Sequence, residues 1–163
     1  MKNILLVVLA FVLITFCNDR KEKERDIIEI TEDEILLNKW KIPRTATLSD
    51  FTTKFTFIKN NEINDPNLRI YLENGLEISE SETKDRVEGF KINYDSENKE
   101  NIPLYLGSLK IQNIEISKFT NPETVINYLE CRGIFCRKEI GNTRIFFIMN
   151  IDRTKINSVQ IYF

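Results

Sequence analysis

One pattern of alternating apolar and polar residues is written twice along this chain, and it restricts the fold to short antiparallel strands. Glu34-Ile35-Leu36-Leu37-Asn38-Lys39-Trp40-Lys41-Ile42 lies over Ser108-Leu109-Lys110-Ile111-Gln112-Asn113-Ile114-Glu115-Ile116 without a gap. Each copy reads as two strands around a polar turn, Asn38-Lys39 in the first and Gln112-Asn113 in the second. In the same register, Leu48 to Phe55 lies over Pro122 to Leu129, and both carry apolar residues at helical spacing.

The residues ahead of these two segments carry helix start signals. Thr47 precedes Leu48; Asn121 precedes Pro122 at the first helical position, with Glu123 in the first turn. Each supplies a side-chain oxygen to amides that lack an intrahelical partner. Thr52 and Thr53 lower the propensity of the first helix, so it should be short.

Two further strands are expected in each half. Leu68 to Leu72 matches Thr143 to Phe147, and Val87 to Tyr94 matches Ile156 to Phe163. Phe90, Ile92 and Tyr94 should share one face, as should Val159, Ile161 and Phe163. The expected fold class is therefore α+β: antiparallel sheets with one short helix per half, a β-β-α-β-β unit duplicated in tandem over residues 30–95 and 105–163. Chance likeness between Ile-, Asn- and Lys-rich segments is the competing explanation of the overlay. Such a sheet carries its helices on one face and leaves the other open or paired with its twin.

Composition narrows the chemistry. There is no histidine in 163 residues, which removes the commonest general base near neutral pH and the commonest metal ligand. Ser-His-Asp and Cys-His sites are excluded on that count, and the five glycines form no phosphate-binding loop. Carboxylate and Lys chemistry survive. With 42% hydrophobic residues, eleven Phe and five Tyr, the chain has the means to build a packed core. A formal charge of -2, without any basic stripe interleaved with aromatics, gives no reason to expect a nucleic-acid partner.

The N-terminus gives an address. Lys2 precedes an apolar run from Ile4 to Phe16, which is followed by Cys17 and, from Asp19 to Asp26, eight consecutive charged residues. As a helix the run would rise about 20 Å, short of the roughly 30 Å of a hydrocarbon core, so it suits a signal segment over residues 1–16. Leu13-Ile14-Thr15-Phe16-Cys17 resembles the lipobox of bacterial lipoproteins. That resemblance implies lipidation of Cys17 and a membrane-anchored mature chain in the cell envelope, facing the periplasm or the cell surface. Phe16 departs from the small residue usual before the cysteine; an uncleaved or differently processed signal is the alternative. Residues 17–26 then form a charged tether, because adjacent charges cannot bury apolar surface. The folded domain is expected over residues 27–163, a size suited to one domain or two packed halves.

Within that domain, Cys131 and Cys136 flank Arg132-Gly133-Ile134-Phe135 between the second helix and the next strand. An oxidising compartment would pair them as a disulfide; otherwise they are reduced, buried thiols acting as small hydrophobes. Glu73, Glu77, Glu80, Glu82, Asp85 and Glu88 concentrate carboxylates around one hairpin. They read as a solvated loop, with a calcium site or a surface for a basic partner as the functional reading. The acidic loop from Asp95 to Asn101 lacks the glycine of a calcium loop. Trp40, Tyr71, Phe146, Phe147, Tyr162 and Phe163 are strand aromatics, chiefly core. Phe146 and Phe147 are adjacent, so one ring must face outward, and that ring is the expected partner contact.

Cys17 behind a short apolar run, a charged tether and repeated hairpins together resemble small bacterial envelope lipoproteins. In architecture the two halves are also similar to the duplicated fold of beta-lactamase inhibitor protein and to the smaller outer-membrane assembly lipoproteins. Those families place paired helices where each half here offers one, and no binding residue carries over. The address, the duplicated pattern and the absence of a chemical constellation lead to the expectation of a non-enzymatic, membrane-tethered protein-binding role of inhibitor or immunity type, without a cofactor. Its partner would be an envelope or secreted protein, with the lipid bilayer reached through the anchor. A structural or assembly lipoprotein of an envelope complex and a carboxylate-based hydrolase are the alternatives.

Overall fold

The computed structural model describes residues 25–58, 70–95 and 102–163. The signal segment, Cys17, most of the tether, and Leu68 and Arg69 lie outside the described residues, as does the acidic loop beyond Asp95.

The strands of the described residues make two sheets. The smaller holds β1 (Ile27–Ile30), β2 (Ile35–Leu37), β3 (Trp40–Lys41), β8 (Ser108–Ile111) and β9 (Ile114–Ile116), in the order β3-β2-β1-β8-β9. The larger holds β4 (Phe57–Ile58), β5 (Ile70–Leu72), β6 (Leu76–Glu80) and β7 (Val87–Asn93), then β10 (Glu130–Arg132), β11 (Phe135–Ile140), β12 (Thr143–Met149) and β13 (Ile156–Tyr162). Its order is β10-β11-β12-β13-β7-β6-β5-β4, so two four-stranded meanders meet where β13 pairs antiparallel with β7.

Both expected hairpins form around the expected turns. Asn38 and Lys39 have φ of 51° and 67°, the positive values a two-residue turn matched to strand twist requires, and Gln112 has φ of 53°. The expectation of purely antiparallel sheets needs one correction, because β1 pairs with β8 in parallel, Ile27 against Ser108 and Ile30 against Ile111. Parallel neighbours need a long crossover, and here the rest of the first half supplies it.

Among the described residues two helices are present, both shorter than the apolar spacing suggested. Helix α1 spans Leu48–Thr52 and α2 spans Glu123–Ile126. At the start of α1, Asp50 Oδ2 accepts from the Thr47 amide at 2.7 Å and from its hydroxyl at 2.9 Å. Those hydrogen bonds, the amide's first, hold the Asp50 carboxyl below its ordinary value. The α1 helix stops because the Thr52 and Thr53 hydroxyls turn back to the Ser49 and Asp50 carbonyls. At α2, Asn121 Oδ1 accepts from the Glu123 amide at 3.0 Å, while Pro122 stands at the cap and not at the first helical position.

Cross-strand register sorts the side chains into rows. In the larger sheet, Leu76, Ile92, Val159, Phe147, Cys136 and Cys131 lie side by side across six strands, beside a row of Ile78, Phe90, Ile161 and Ile145. In the smaller sheet, Leu37, Ile28, Leu109 and Ile116 form the equivalent row. These rows, Phe51 of α1 and Val125 of α2 belong to one buried cluster, against which the half-buried Cys131 packs. Burial of this apolar surface is what drives the domain to fold.

The strand matching needs a second correction. β7 and β13 do occupy equivalent places as the innermost strands of the two meanders, with Phe90 opposite Ile161 and Ile92 opposite Val159. β5 and β12 do not: β12 adjoins β13, whereas β6 separates β5 from β7. Among the described residues, each half carries four strands after its helix where two were expected. β4, β6, β10 and β11 are the additions, and β4 and β10 are too short to show a period.

Candidate functional site

The face of the larger sheet opposite the core is built from three rows. The central one runs Tyr71, Glu77, Lys91, Gln160, Phe146, Arg137, Glu130 across seven strands. On one side lie Asn93, Ser158, Ile148, Phe135 and Arg132; on the other Ser79, Gly89, Tyr162, Arg144 and Glu139.

Burial divides this face in two. Toward β5 it is covered, since Tyr71, Asn93 and Ser158 are buried. Toward β10 it is open: Phe135 is 59% exposed, Ile148 beside it is half-buried, and the half-buried Phe146 and Tyr162 rings meet edge-on with centroids 6.0 Å apart. Arg132, Arg137 and Arg144 are exposed around these rings. Arg137 Nε lies 2.9 Å from Glu130 Oε2, and that hydrogen bond raises the guanidinium further above its ordinary value. The result is an apolar and aromatic patch framed by three guanidinium groups, with Glu130 and Glu139 as the acids of the same rows.

The expected contact pair separates cleanly. Phe147 is fully buried in the core row and is no contact residue, while Phe146 is the outward ring. Of the other strand aromatics, Trp40 packs edge-on against Phe51 at 5.0 Å, Phe163 packs on Phe90, and only Tyr162 joins Phe146 on the open face. The sequence reading passed over Phe135 and the three arginines. Their signal was the alternation Phe135, Arg137, Glu139 opposed to Cys136 and Ile140, visible once β11 is counted as a strand.

Cys131 and Cys136 are directly opposed in the β10–β11 hairpin with their sulfurs 2.07 Å apart, at disulfide distance. They sit within this hairpin and not at a helix-to-strand junction. The pair lies on the core side and fastens the short edge strand β10 to β11, which keeps Arg132 opposite Phe135 and Glu130 opposite Arg137.

The Glu-rich hairpin disperses its acids. Glu77 faces Lys91 at 3.8 Å and Glu88 faces Arg86 at 3.8 Å. Asp85 accepts from the Ser81 hydroxyl at 2.6 Å and the Thr83 hydroxyl at 2.7 Å; these bonds, Ser81's first, lower its pKa and close the β6–β7 loop. Among the described residues, no three His, Cys, Asp or Glu side chains gather in a way that could hold a metal ion.

A second feature, unforeseen in the sequence, is a cavity of about 380 Å³ where the described chain begins. Arg25, Asp26, Glu73, Asn74, Lys118 and Phe119 line it, with Leu104, Leu106 and Gly107. Asp26 organises this end of the molecule: Oδ1 accepts from Asn38 Nδ2 at 2.7 Å and Oδ2 from Asn74 Nδ2 at 2.9 Å. Two glycines let the chain pack closely in and beside it. A Cβ on Gly75 (φ 89°) would stand 2.2 Å from the Tyr105 nitrogen, and one on Gly107 would stand 2.0 Å from the Asp26 carbonyl oxygen.

No protein family, no curated protein and no solved structure matches the chain. Among the described residues, no helix is long and apolar enough to cross a membrane.

Proposed function

We propose that this chain is an exported, membrane-tethered protein-binding domain that acts by contact and not by catalysis, in the manner of an inhibitor or immunity protein. The observation that carries the reading is the open half of the larger sheet. Phe135 stands exposed with the half-buried Phe146, Ile148 and Tyr162 on the same face, and Arg132, Arg137 and Arg144 around them. Aromatic and Arg residues dominate the energetics of protein interfaces, and a rigid sheet presents them at low conformational cost. The surplus of guanidinium groups suits a partner whose own patch is acidic at its rim.

The address supports the same reading. The apolar run before Cys17 and the charged residues behind it favour export and lipid attachment, and a disulfide at Cys131–Cys136 is at home in an oxidising envelope. An envelope or secreted protein is accordingly the expected partner. The test is affinity capture from envelope and secreted fractions. The wild-type chain should retain a discrete protein that a Phe135→Ser, Phe146→Ser double variant loses; equal recovery by both would rule out this surface.

We further read the two halves as a tandem duplication. Supporting it, the order β2-β3-α1 followed by four strands recurs as β8-β9-α2 followed by four strands. The strand order of each sheet also reads symmetrically outward, from β1 in the smaller and from the β7–β13 pair in the larger. On this reading the unit is longer than β-β-α-β-β, and the outer faces of the halves have diverged, one covered and one open.

A further inference from the structure

We infer that the cavity at Asp26 and Asn74 binds the headgroup of a phospholipid carrying a primary ammonium and a phosphate, and that this end of the domain lies against the bilayer. The inference rests on the proposed membrane attachment through Cys17. It adds to that attachment a site and a ligand chemistry.

Four observations converge. First, Asn74 has one orientation available. A carboxylate only accepts, so the contact with Asp26 fixes the amide nitrogen, and Asn74 Oδ1 is left buried without a hydrogen-bond partner. Asn74 lines the cavity beside the Asp26 and exposed Glu73 carboxylates, and this acceptor-rich wall calls for a ligand with several N–H donors on one cation. An ammonium has three such donors, and a trimethylammonium has none. Second, Arg25 and Lys118 line the same cavity and supply cations for a phosphate.

Third, the cavity mouth carries apolar side chains that a soluble ligand of this size does not require. Phe119 is 80% exposed and Leu106 is 62% exposed. Lys118 Nζ sits 4.9 Å from the Phe119 ring centroid, so a cation and an aromatic ring share one protruding loop. Apolar and aromatic groups beside cations are what a protein surface presents to the boundary between headgroups and acyl chains.

Fourth, the chain itself sets the distance. The eight residues from Asn18 to Arg25 separate Cys17 from the cavity wall, and fully extended they reach at most about 29 Å. Arg25 is both the last residue of that span and a lining residue, so the tether enters the fold at the cavity.

The test uses the full chain in non-ionic detergent micelles, titrated with glycerophosphoethanolamine and with glycerophosphocholine and read by amide hydrogen exchange at residues 73–75, 104–107 and 117–120. Glycerophosphoethanolamine should protect these amides at about tenfold lower concentration, the worth of one charge-assisted hydrogen bond. Lys118→Glu, on an exposed loop, should weaken the response, and Asn74→Leu should remove the preference. In a second arm, phosphatidylethanolamine is added to the micelles. Phe119→Ser should weaken binding of this lipid and leave the soluble headgroup unaffected, which separates a membrane lipid from a free ligand. Equal responses to the two soluble headgroups, no protection by either, or an unaltered lipid response in Phe119→Ser would overturn the inference. The titration does not depend on lipidation; the mass of the mature N-terminus reports the anchor separately.

Discussion

Phe146 and Phe147 are consecutive residues of β12 that serve opposite faces of the larger sheet. Phe147 lies in the core row between Cys136 and Val159, and Phe146 lies between Arg137 and Gln160 on the open face, its ring edge-on to Tyr162. One residue belongs to stability, and on the proposed reading its neighbour belongs to recognition.

Truncating each ring should separate these roles. Phe147→Ala should cost about 3–5 kcal/mol, the range for emptying an aromatic site in a packed core. Phe146→Ala should cost about 1 kcal/mol or less, because its ring is half-exposed, and should act on partner binding instead. Denaturant melts of the two variants check the contrast, and equal losses would mean that the open face is part of the core.

The Cys131–Cys136 link should contribute modestly to global stability and strongly to local order. Closing so short a loop restricts the unfolded chain by about 2 kcal/mol in the chain-entropy model. The Cys131→Ser, Cys136→Ser variant should lose about that much in denaturant melts, and exchange protection should fall first at Glu130–Arg132. Partner affinity should fall with it, since the link fixes Arg132 opposite Phe135.

Two buried tyrosines give the protein an alkaline limit. Tyr94 and Tyr105 meet edge-on at 6.1 Å, and burial pushes both phenols up from their ordinary value of 10.0. A raised folded-state value means that the contribution is complete below about pH 10, where both states hold the proton. Above it the unfolded chain releases protons that the folded chain retains. Stability should then fall by up to about 1.4 kcal/mol per pH unit for each tyrosine. The Tyr94→Phe, Tyr105→Phe variant forgoes hydrogen bonds to the Ile116 and Ser108 carbonyls. It should be less stable at neutral pH and show a flatter decline between pH 10 and 12. Parallel curves for variant and wild type would show that other groups set this limit.

What could be read in advance follows from how local each signal is. β7 and β13 each run seven residues, and their alternation, with Phe90 and Ile161 on one face, identified both the strands and the buried side. The β2–β3 turn was legible because Asn38 favours the positive φ it adopts. By contrast, β4 has two residues and β10 three, too few to display a period. The parallel pairing of β1 with β8 joins Ile27 to Ser108 across the whole first half, and no local pattern carries it. The site behaved likewise. That one of Phe146 and Phe147 faces outward followed from adjacency, whereas which one does so depended on the register of β12 with β11 and β13. The Asp26 cavity, assembled from four separate segments, had no sequence signature.

The central claim is that the open face around Phe146 meets a partner protein, and site-specific photo-crosslinking in intact cells tests it most directly. A benzoylphenylalanine placed at Phe135 or Phe146 should give one discrete higher-mass adduct, shared by both positions. The same probe at the exposed Thr53, at the end of α1, should give none. Absence of an adduct at Phe135 and Phe146, or the same adduct from Thr53, would contradict the account.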